Sequence, residues 1–176
     1  MPTVLSPDLL KAPPWRGWFF GSLSLTLILD LVTKQLIFAL PTDAALPSWI
    51  RLAENRGVAW SMMAEHPWVI LGLTLLLIPV LAWVWWSSYR QEGRFANLAF
   101  GLILGGALGN AVDRVAARLD LIGGVRDFIH VDLGFPPFDP WPTFNIADSG
   151  ICVGFALVFL LPLLQRPRTS GAGDKA

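Results

Sequence analysis

Four long stretches of the chain are almost continuously apolar, and the polar residues collect between them. The stretches run from about residue 17 to 40, 67 to 86, 95 to 115 and 146 to 164. The hydrocarbon core of a bilayer is about 30 Å thick, so a helix needs roughly 20 apolar residues to cross it. The pattern therefore predicts an all-α membrane protein in which four transmembrane helices form a single domain, residues 1–176.

The segments between the apolar stretches differ from one another. Those at about 41–66 and 117–145 are polar and rich in glycine and proline, with short β-like runs, SWIRLA and VRDFIHVDL. Strand-forming residues bounded by turn residues indicate a small sheet. We therefore expect a β-rich cradle built from these two loops. The polar tail at about 166–176 is predicted to be disordered.

Tryptophans cluster at the ends of the apolar stretches. Trp15 and Trp18 open the first stretch, Trp68 starts the second, and Trp83, Trp85 and Trp86 end it. Tryptophan prefers the headgroup level of a bilayer, where its ring is half apolar and half hydrated. The alternative is that these rings fill the core.

Lysine and arginine orient the chain, since they are enriched in cytoplasmic segments. One side carries seven: Lys11, Arg16, Arg90, Arg94, Arg166, Arg168 and Lys175. The other side carries four: Arg51, Arg56, Arg118 and Arg126. This bias predicts cytoplasmic termini and places both long loops outside.

Composition narrows the possible functions. Hydrophobic residues make up 54% of the chain and charged residues 15%, which is less charge than soluble domains carry. The formal net charge is zero, so the basic excess of a nucleic-acid-binding protein is missing. One cysteine, Cys152, excludes an internal disulfide and a multi-cysteine zinc site.

Several polar residues lie where a bilayer makes them costly. Asp30 and Lys34, four residues apart, could neutralise each other near the outer interface with Lys34 snorkelling, or could brace another segment. In the third stretch, Gly101, Gly105 and Gly109 form a small-residue stripe that predicts close helix packing. Three polar residues follow at its outer end: Asn110, Asp113 and Arg114.

Two further aspartates each have an ordinary explanation. Asn145 could cap the last helix with Asp148 as its third residue, and Asp127 could be a solvated surface carboxylate. Yet the outer polar residues can converge at one depth: Asn55, Asn110, Asp113, Arg114, Asp127, Asn145 and Asp148. Two close carboxyl groups would share a proton, as in aspartic proteases, and could hydrolyse an amide without a metal.

Five motifs occur in order along residues 17–165. They are D-x-x-T-K (30–34), ENRGVAWS (54–61), G-G-A-L-G-N-x-x-D-R (105–114), VRDFI (125–129) and F-N-x-A-D-x-x-I (144–151). Together they resemble the motifs of lipoprotein signal peptidase, or signal peptidase II. Trp60 departs from the family's usual phenylalanine, which puts the shape of its loop in doubt.

This resemblance implies an aspartic endopeptidase with Asp127 and Asp148 as the catalytic pair. Supporting or substrate-binding roles fall on Asn55, Asn110, Asp113, Arg114, Asn145, Asp30 and Lys34, with Asp113 expected to brace Arg114. The implied substrate is a diacylglyceryl-modified prolipoprotein, cut just before its lipidated cysteine. We expect membrane lipids as partners, no nucleic acid, no cofactor, no metal and a monomer in the bacterial inner membrane. The catalytic pair would lie near the outer leaflet.

Other interpretations remain open on the sequence alone. A small ion-coupled transporter would also carry intramembrane acids, although internal repeats typical of transporters are missing. A non-catalytic membrane scaffold would not need the aspartate pair. A metal site could use His130 with Asp127 or Asp132.

Overall fold

The chain folds into long helices joined by a small sheet. A computed structural model describes residues 14–41, 43–57, 62–132, 134–135 and 141–164. Its elements are α1 (Pro14–Phe38), β1 (Ile50–Asn55), α2 (Pro67–Val84), a π-helical turn (Trp85–Tyr89), α3 (Arg94–Arg118), β2 (Val125–Ile129) and α4 (Ile146–Leu164). Trp60, the predicted disordered tail and the basic residues Lys11, Arg166, Arg168 and Lys175 lie outside the described residues.

The helices confirm a mostly helical membrane protein. Within the described ranges, three spans are long and apolar enough to cross a bilayer: Trp15–Phe38, Pro67–Tyr89 and Arg94–Arg118. The fourth, counted over Ile146–Pro162, is apolar but shorter. The sequence placed the ends of the first helix two to three residues too late, and it missed that α3 continues to Arg118.

Helix α3 is the centre of the bundle because small residues let its neighbours approach closely. It packs on α1 through Gly101, Gly105 and Gly109, whose missing side chains make room for α1. On another face Gly106 lies against the backbone of Ala147 in α4. The predicted glycine stripe is therefore confirmed, and it decides which helices α3 touches.

Gly105 offers a test of this packing. A Cβ there would lie 2.6 Å from the carbonyl oxygen of Leu23, so α1 would have to move. We expect Gly105→Ala to destabilise the protein by about 1–3 kcal/mol, seen as a lower melting temperature in detergent. Gly72→Ala in α2 is the matched control, because no atom of the described residues, apart from its chain neighbours and its own helix backbone, lies within 4 Å of its added Cβ. Equal melting temperatures for the two variants would contradict the close contact.

The predicted β-like runs form the sheet. Strands β1 and β2 pair antiparallel, with Ala53 opposite Asp127 and an irregularity between Ile50 and Ala53. Phe144 bridges to Ile129 beside β2, and α4 begins two residues later. The sheet therefore carries Asp127 to the entrance of α4.

Tryptophan has two roles in this fold. Trp18, Trp68, Trp83 and Trp86 are exposed, as expected of residues at an interface. Trp85 instead is buried, stacks on Phe19 with ring centroids 3.5 Å apart, and donates to Asn97 over 2.8 Å. For Trp85 the core-filling alternative holds.

Candidate active site

Asp148 belongs to a reciprocal cap at the start of α4. Its backbone N–H donates to the Asn145 side-chain oxygen at 2.9 Å, and its Oδ2 accepts from the Asn145 backbone N–H at 3.1 Å. Because a helix start leaves such N–H groups without partners, this arrangement stabilises the first turn. The predicted cap is confirmed, and it holds Asp148 in one orientation.

Asp127 lies on β2 and faces the same point. Its side chain is buried, with 2% of the residue exposed, so the solvated alternative is wrong. Its Oδ1 accepts from Nδ2 of Asn145 at 2.7 Å, and the Asn55 side chain also bonds to it. Asn145 thus contacts both aspartates, one through each end of its amide.

The side-chain amide of Asn110 is oriented by its partners. The Oδ1 of Asn110 accepts from the Lys34 ammonium at 3.0 Å, a group that can only donate. Nδ2 of Asn110 must therefore point the other way, and it donates to Oδ1 of Asp148 at 2.7 Å. Oδ1 and Oδ2 of Asp148 consequently both accept from N–H groups, which fixes the orientation of this carboxyl group.

Asp127 has a different electrostatic environment. Burial, followed by the nearby charge of Asp148, raises the pKa of Asp127 from its usual value of 3.8 to about 7. Hydrogen bonds from Asn55 and Asn145 act in the opposite direction and are weaker. Near neutral pH, Asp127 can therefore hold a proton beside a charged partner, which is the condition for acid and base to coexist.

Behind the two aspartates, Lys34 and Asp30 together join three helices. Nζ of Lys34 lies 2.7 Å from Asp30 Oδ2 and 3.3 Å from Asp113 Oδ2, and all three side chains are fully buried. Oδ1 of Asp30 accepts from the Ala147 backbone N–H at 2.9 Å. The snorkelling interpretation of Lys34 is wrong, because neighbouring acids satisfy its charge internally. The alternative, that the pair braces another segment, is confirmed.

Asp113 pairs with Arg126 rather than with Arg114. The Arg126 guanidinium donates through Nη2 at 2.8 Å and through Nε at 3.3 Å, and its backbone N–H donates at 2.9 Å. The expectation that Asp113 braces Arg114 is therefore wrong, since β2 brings a closer cation. The sequence analysis did not identify Arg126 as a site residue. The signal that could have indicated it is its position directly before Asp127.

Arg114 faces a groove instead. Its Nε is buried with no hydrogen-bond partner among the described residues. The groove has a volume of about 550 Å³. Its polar end holds Asn55, Asn110, Arg114, Asp127 and Asp148, and its apolar wall includes Leu77, Leu81, Ile103, Ile151 and Phe155. The aspartate pair thus lies at one end of a channel lined mainly by apolar helix faces.

The described residues form no group of three or more histidine, cysteine, aspartate or glutamate side chains that could hold a metal ion. His130 follows β2 directly, and its Nδ1 is buried without a partner in the described part of the chain.

Every predicted site residue falls within the described ranges. Asn55, Asn110, Arg114, Asp127, Asn145 and Asp148 meet at the groove, with Asp30, Lys34 and Asp113 behind them.

Comparisons with known proteins agree with one another. The family model described as signal peptidase (SPase) II matches residues 22–164. The chain is 39% identical to a lipoprotein signal peptidase of Chlorobaculum tepidum, covering 76% of this chain and 86% of that one. It is 35% identical to the lipoprotein signal peptidase of Aquifex aeolicus, covering 86% and 89%. A solved structure described as a bacterial membrane enzyme is 27% identical, with a TM-score of 0.67, over 85% of this chain and 95% of that one.

Proposed function

Since this chain belongs to the signal peptidase II family, we propose that Asp127 and Asp148 form the catalytic pair with which it cleaves its substrate. The protein is a multi-pass membrane peptidase that removes signal peptides from prolipoproteins. The observation that carries the proposed pair is the convergence of two carboxyl groups, bridged by Asn145, at the end of an apolar groove. The pair works without a cofactor.

The two acids have separate roles in the resting enzyme. Asp148, whose two carboxyl oxygens each accept an N–H hydrogen bond, takes a proton from the attacking water. Asp127, whose pKa is raised to about 7, carries the proton and donates it first to the scissile carbonyl oxygen. When the amine leaves, the pair protonates it and returns to its starting state, so the two residues exchange acid and base roles.

Substrate enters along the groove. The apolar wall from α2, α3 and α4 accepts the signal helix and acyl chains, because burying this surface against hydrocarbon is favourable. Arg114 and Asn110 hold the peptide backbone of the substrate, and Asn55 contacts it near the scissile bond. Polar groups at one end of an apolar channel fix the position of the substrate peptide, which apolar contacts alone would allow to slide along the channel.

The membrane arrangement follows from the same proposal. All four helices cross the inner membrane, with α4 as the fourth span and the whole chain as one domain. The termini are cytoplasmic because Arg16, Arg90 and Arg94 lie at one end of the bundle. The aspartates lie near the outer leaflet, beneath a cradle formed by β1 and β2. The protein acts as a monomer in contact with membrane lipids, without nucleic acid.

The decisive experiment compares two precursors that differ only in the diacylglyceryl group on the lipobox cysteine. We expect the purified enzyme to cut the lipidated precursor just before that cysteine and to cut the unmodified one at least tenfold more slowly. Mass spectrometry of the released signal peptide locates the bond. Equal cleavage of both precursors would exclude the lipid requirement. Cleavage that stops in excess chelator would favour the metal alternative.

A further inference from the structure

Arg126 precedes Asp127 on β2, and none of the motifs requires an arginine there. Its side chain is 13% exposed and contacts the fully buried Asp113 of α3 at 2.8 Å. Its backbone is held as well, because its N–H donates to Asp113 at 2.9 Å and its carbonyl accepts from Asn145 at 3.3 Å. The residue beside Asp127 is therefore anchored to both α3 and the start of α4.

The charges around this anchor can be counted. Among the residues that the structure describes, four carboxyl groups and three cations lie in one connected, largely buried set: Asp30, Asp113, Asp127 and Asp148 with Lys34, Arg114 and Arg126. With every group ionised, the set carries one net negative charge. It becomes neutral when one carboxyl group holds a proton. Since an uncompensated charge in a poorly solvated site is costly, the neutral state is favoured.

Contacts locate that proton. Asp30 lies 2.7 Å from Lys34, and Asp113 lies 2.8 Å from Arg126 and 3.3 Å from Lys34. Among the described residues, no ion pair within 4.0 Å reaches Asp127 or Asp148. Because Asp30 and Asp113 contact cations and the other two acids do not, the single proton is assigned to the Asp127 and Asp148 pair.

We propose that Arg126 is a positioning residue that sets the proton count of the aspartate pair: by neutralising Asp113, it restricts the pair to one shared proton. The inference rests on the proposed function, since it concerns the same pair. Without Arg126 the set would be neutral only with two protons, and the pair would lose its base. Without Asp113 it would be neutral with none, and the pair would lose its acid.

Other charged groups on the elements around Asp127 remain unchanged in this comparison. Apart from the set counted above, β1 and its flank carry Arg51, Glu54 and Arg56, Arg118 ends α3, and His130 follows β2. Of these, Glu54 is held by the Gly123 backbone N–H at 2.9 Å. Because these groups are the same in every variant below, they do not change the pH profile of one variant relative to that of another.

The test is the pH profile of kcat/KM for a lipidated precursor, measured on the full chain in detergent or liposomes. In the wild type, activity should fall as pH rises past about 7, where Asp127 loses its proton. Arg126→Met should move both limbs of the profile upward by roughly one pH unit. Asp113→Asn should move both limbs downward by a similar amount. Arg126→Lys keeps the charge and should keep the wild-type profile, even if kcat is lower.

The double variant Arg126→Met with Asp113→Asn separates charge from structure. It loses the same contacts as the single variants but again leaves one proton on the pair, so its profile should return to that of the wild type. A purely structural role for Arg126 predicts lower activity and lower melting temperature in every variant with unchanged limbs. That result would overturn the inference. If Arg126→Met does not fold, Asp113→Asn and the double variant decide, because their predicted profiles differ.

Failure of this inference is distinguishable from failure of the proposed function. If Asp127→Asn cleaves the precursor at the wild-type rate, the pair itself is wrong and the inference falls with it. If Asp127→Asn is inactive while the Arg126 and Asp113 variants keep wild-type limbs, the pair stands and only the role of Arg126 is rejected.

Discussion

Asparagine at position 127 or 148 should lower kcat for precursor cleavage by at least about 10³-fold, because each carboxyl group supplies a proton transfer that an amide cannot. The variant that carries both Asp127→Asn and Asp148→Asn should have about the same kcat as either single variant, since the two groups act as one unit. The measurement is single-turnover cleavage of a lipidated precursor in detergent micelles. Melting temperatures near that of the wild type would show that the loss is chemical.

Asp120→Asn is the matched control for this experiment. Asp120 is an exposed aspartate between α3 and β2, with φ of 57°, a conformation that asparagine also adopts. The same loss of a carboxyl group there should leave cleavage unchanged. Either single variant of the pair retaining activity within threefold of the Asp120 control would remove that residue from the catalytic machinery.

Replacing Lys34 with methionine should destabilise the protein by about 3–5 kcal/mol, because it leaves a buried charge without its partner. Nζ of Lys34 contacts Asp30 at 2.7 Å, Asp113 at 3.3 Å and Asn110 at 3.0 Å, and the residue has no exposed surface. Its loss would disturb α1, α3 and the start of α4 together. Thermal and denaturant unfolding in detergent measure the change.

Two comparisons test the origin of that loss. Asp30→Asn combined with Lys34→Met removes both charges, so it should be more stable than Lys34→Met alone. Arg51→Met removes an exposed cation on β1 and should change stability by less than about 0.5 kcal/mol. A Lys34→Met variant as stable as Arg51→Met would show that the buried ion pairs do not stabilise this fold.

Local features were predictable where neighbours in sequence decide them. The apolar stretches located the helices to within about three residues at either end, because the length of an apolar run is set by the residues of the helix itself. The cap at α4 was predictable because Asn145 and Asp148 are three residues apart. At this spacing the side chain of the capping residue can accept from a backbone N–H in the first turn of the helix. The glycine stripe of α3 likewise follows from a four-residue spacing on one helix face.

The partners of the buried charges were not predictable in this way. Asp113 and Arg114 are adjacent, yet one contacts Arg126 and the other faces the groove, because successive helical residues point about 100° apart. Trp85 looked like an interfacial residue, but the π-helical turn and Asn97 place it in the core. Burial of these side chains depends on which helices become neighbours.

The sequence by itself determined the helices, the strands, the cap and, through its ordered motifs, the family; the same motifs led to the proposal that Asp127 and Asp148 are the catalytic pair. The tertiary structure decided that Lys34 is buried rather than exposed, that Arg126 neutralises Asp113, and that Asn145 joins Asp127 to Asp148. These contacts join residues far apart in sequence, such as Asp30 and Ala147, which are 117 positions apart. Local propensity cannot determine them, because they form only when the glycine faces of α3 bring α1 and α4 into contact.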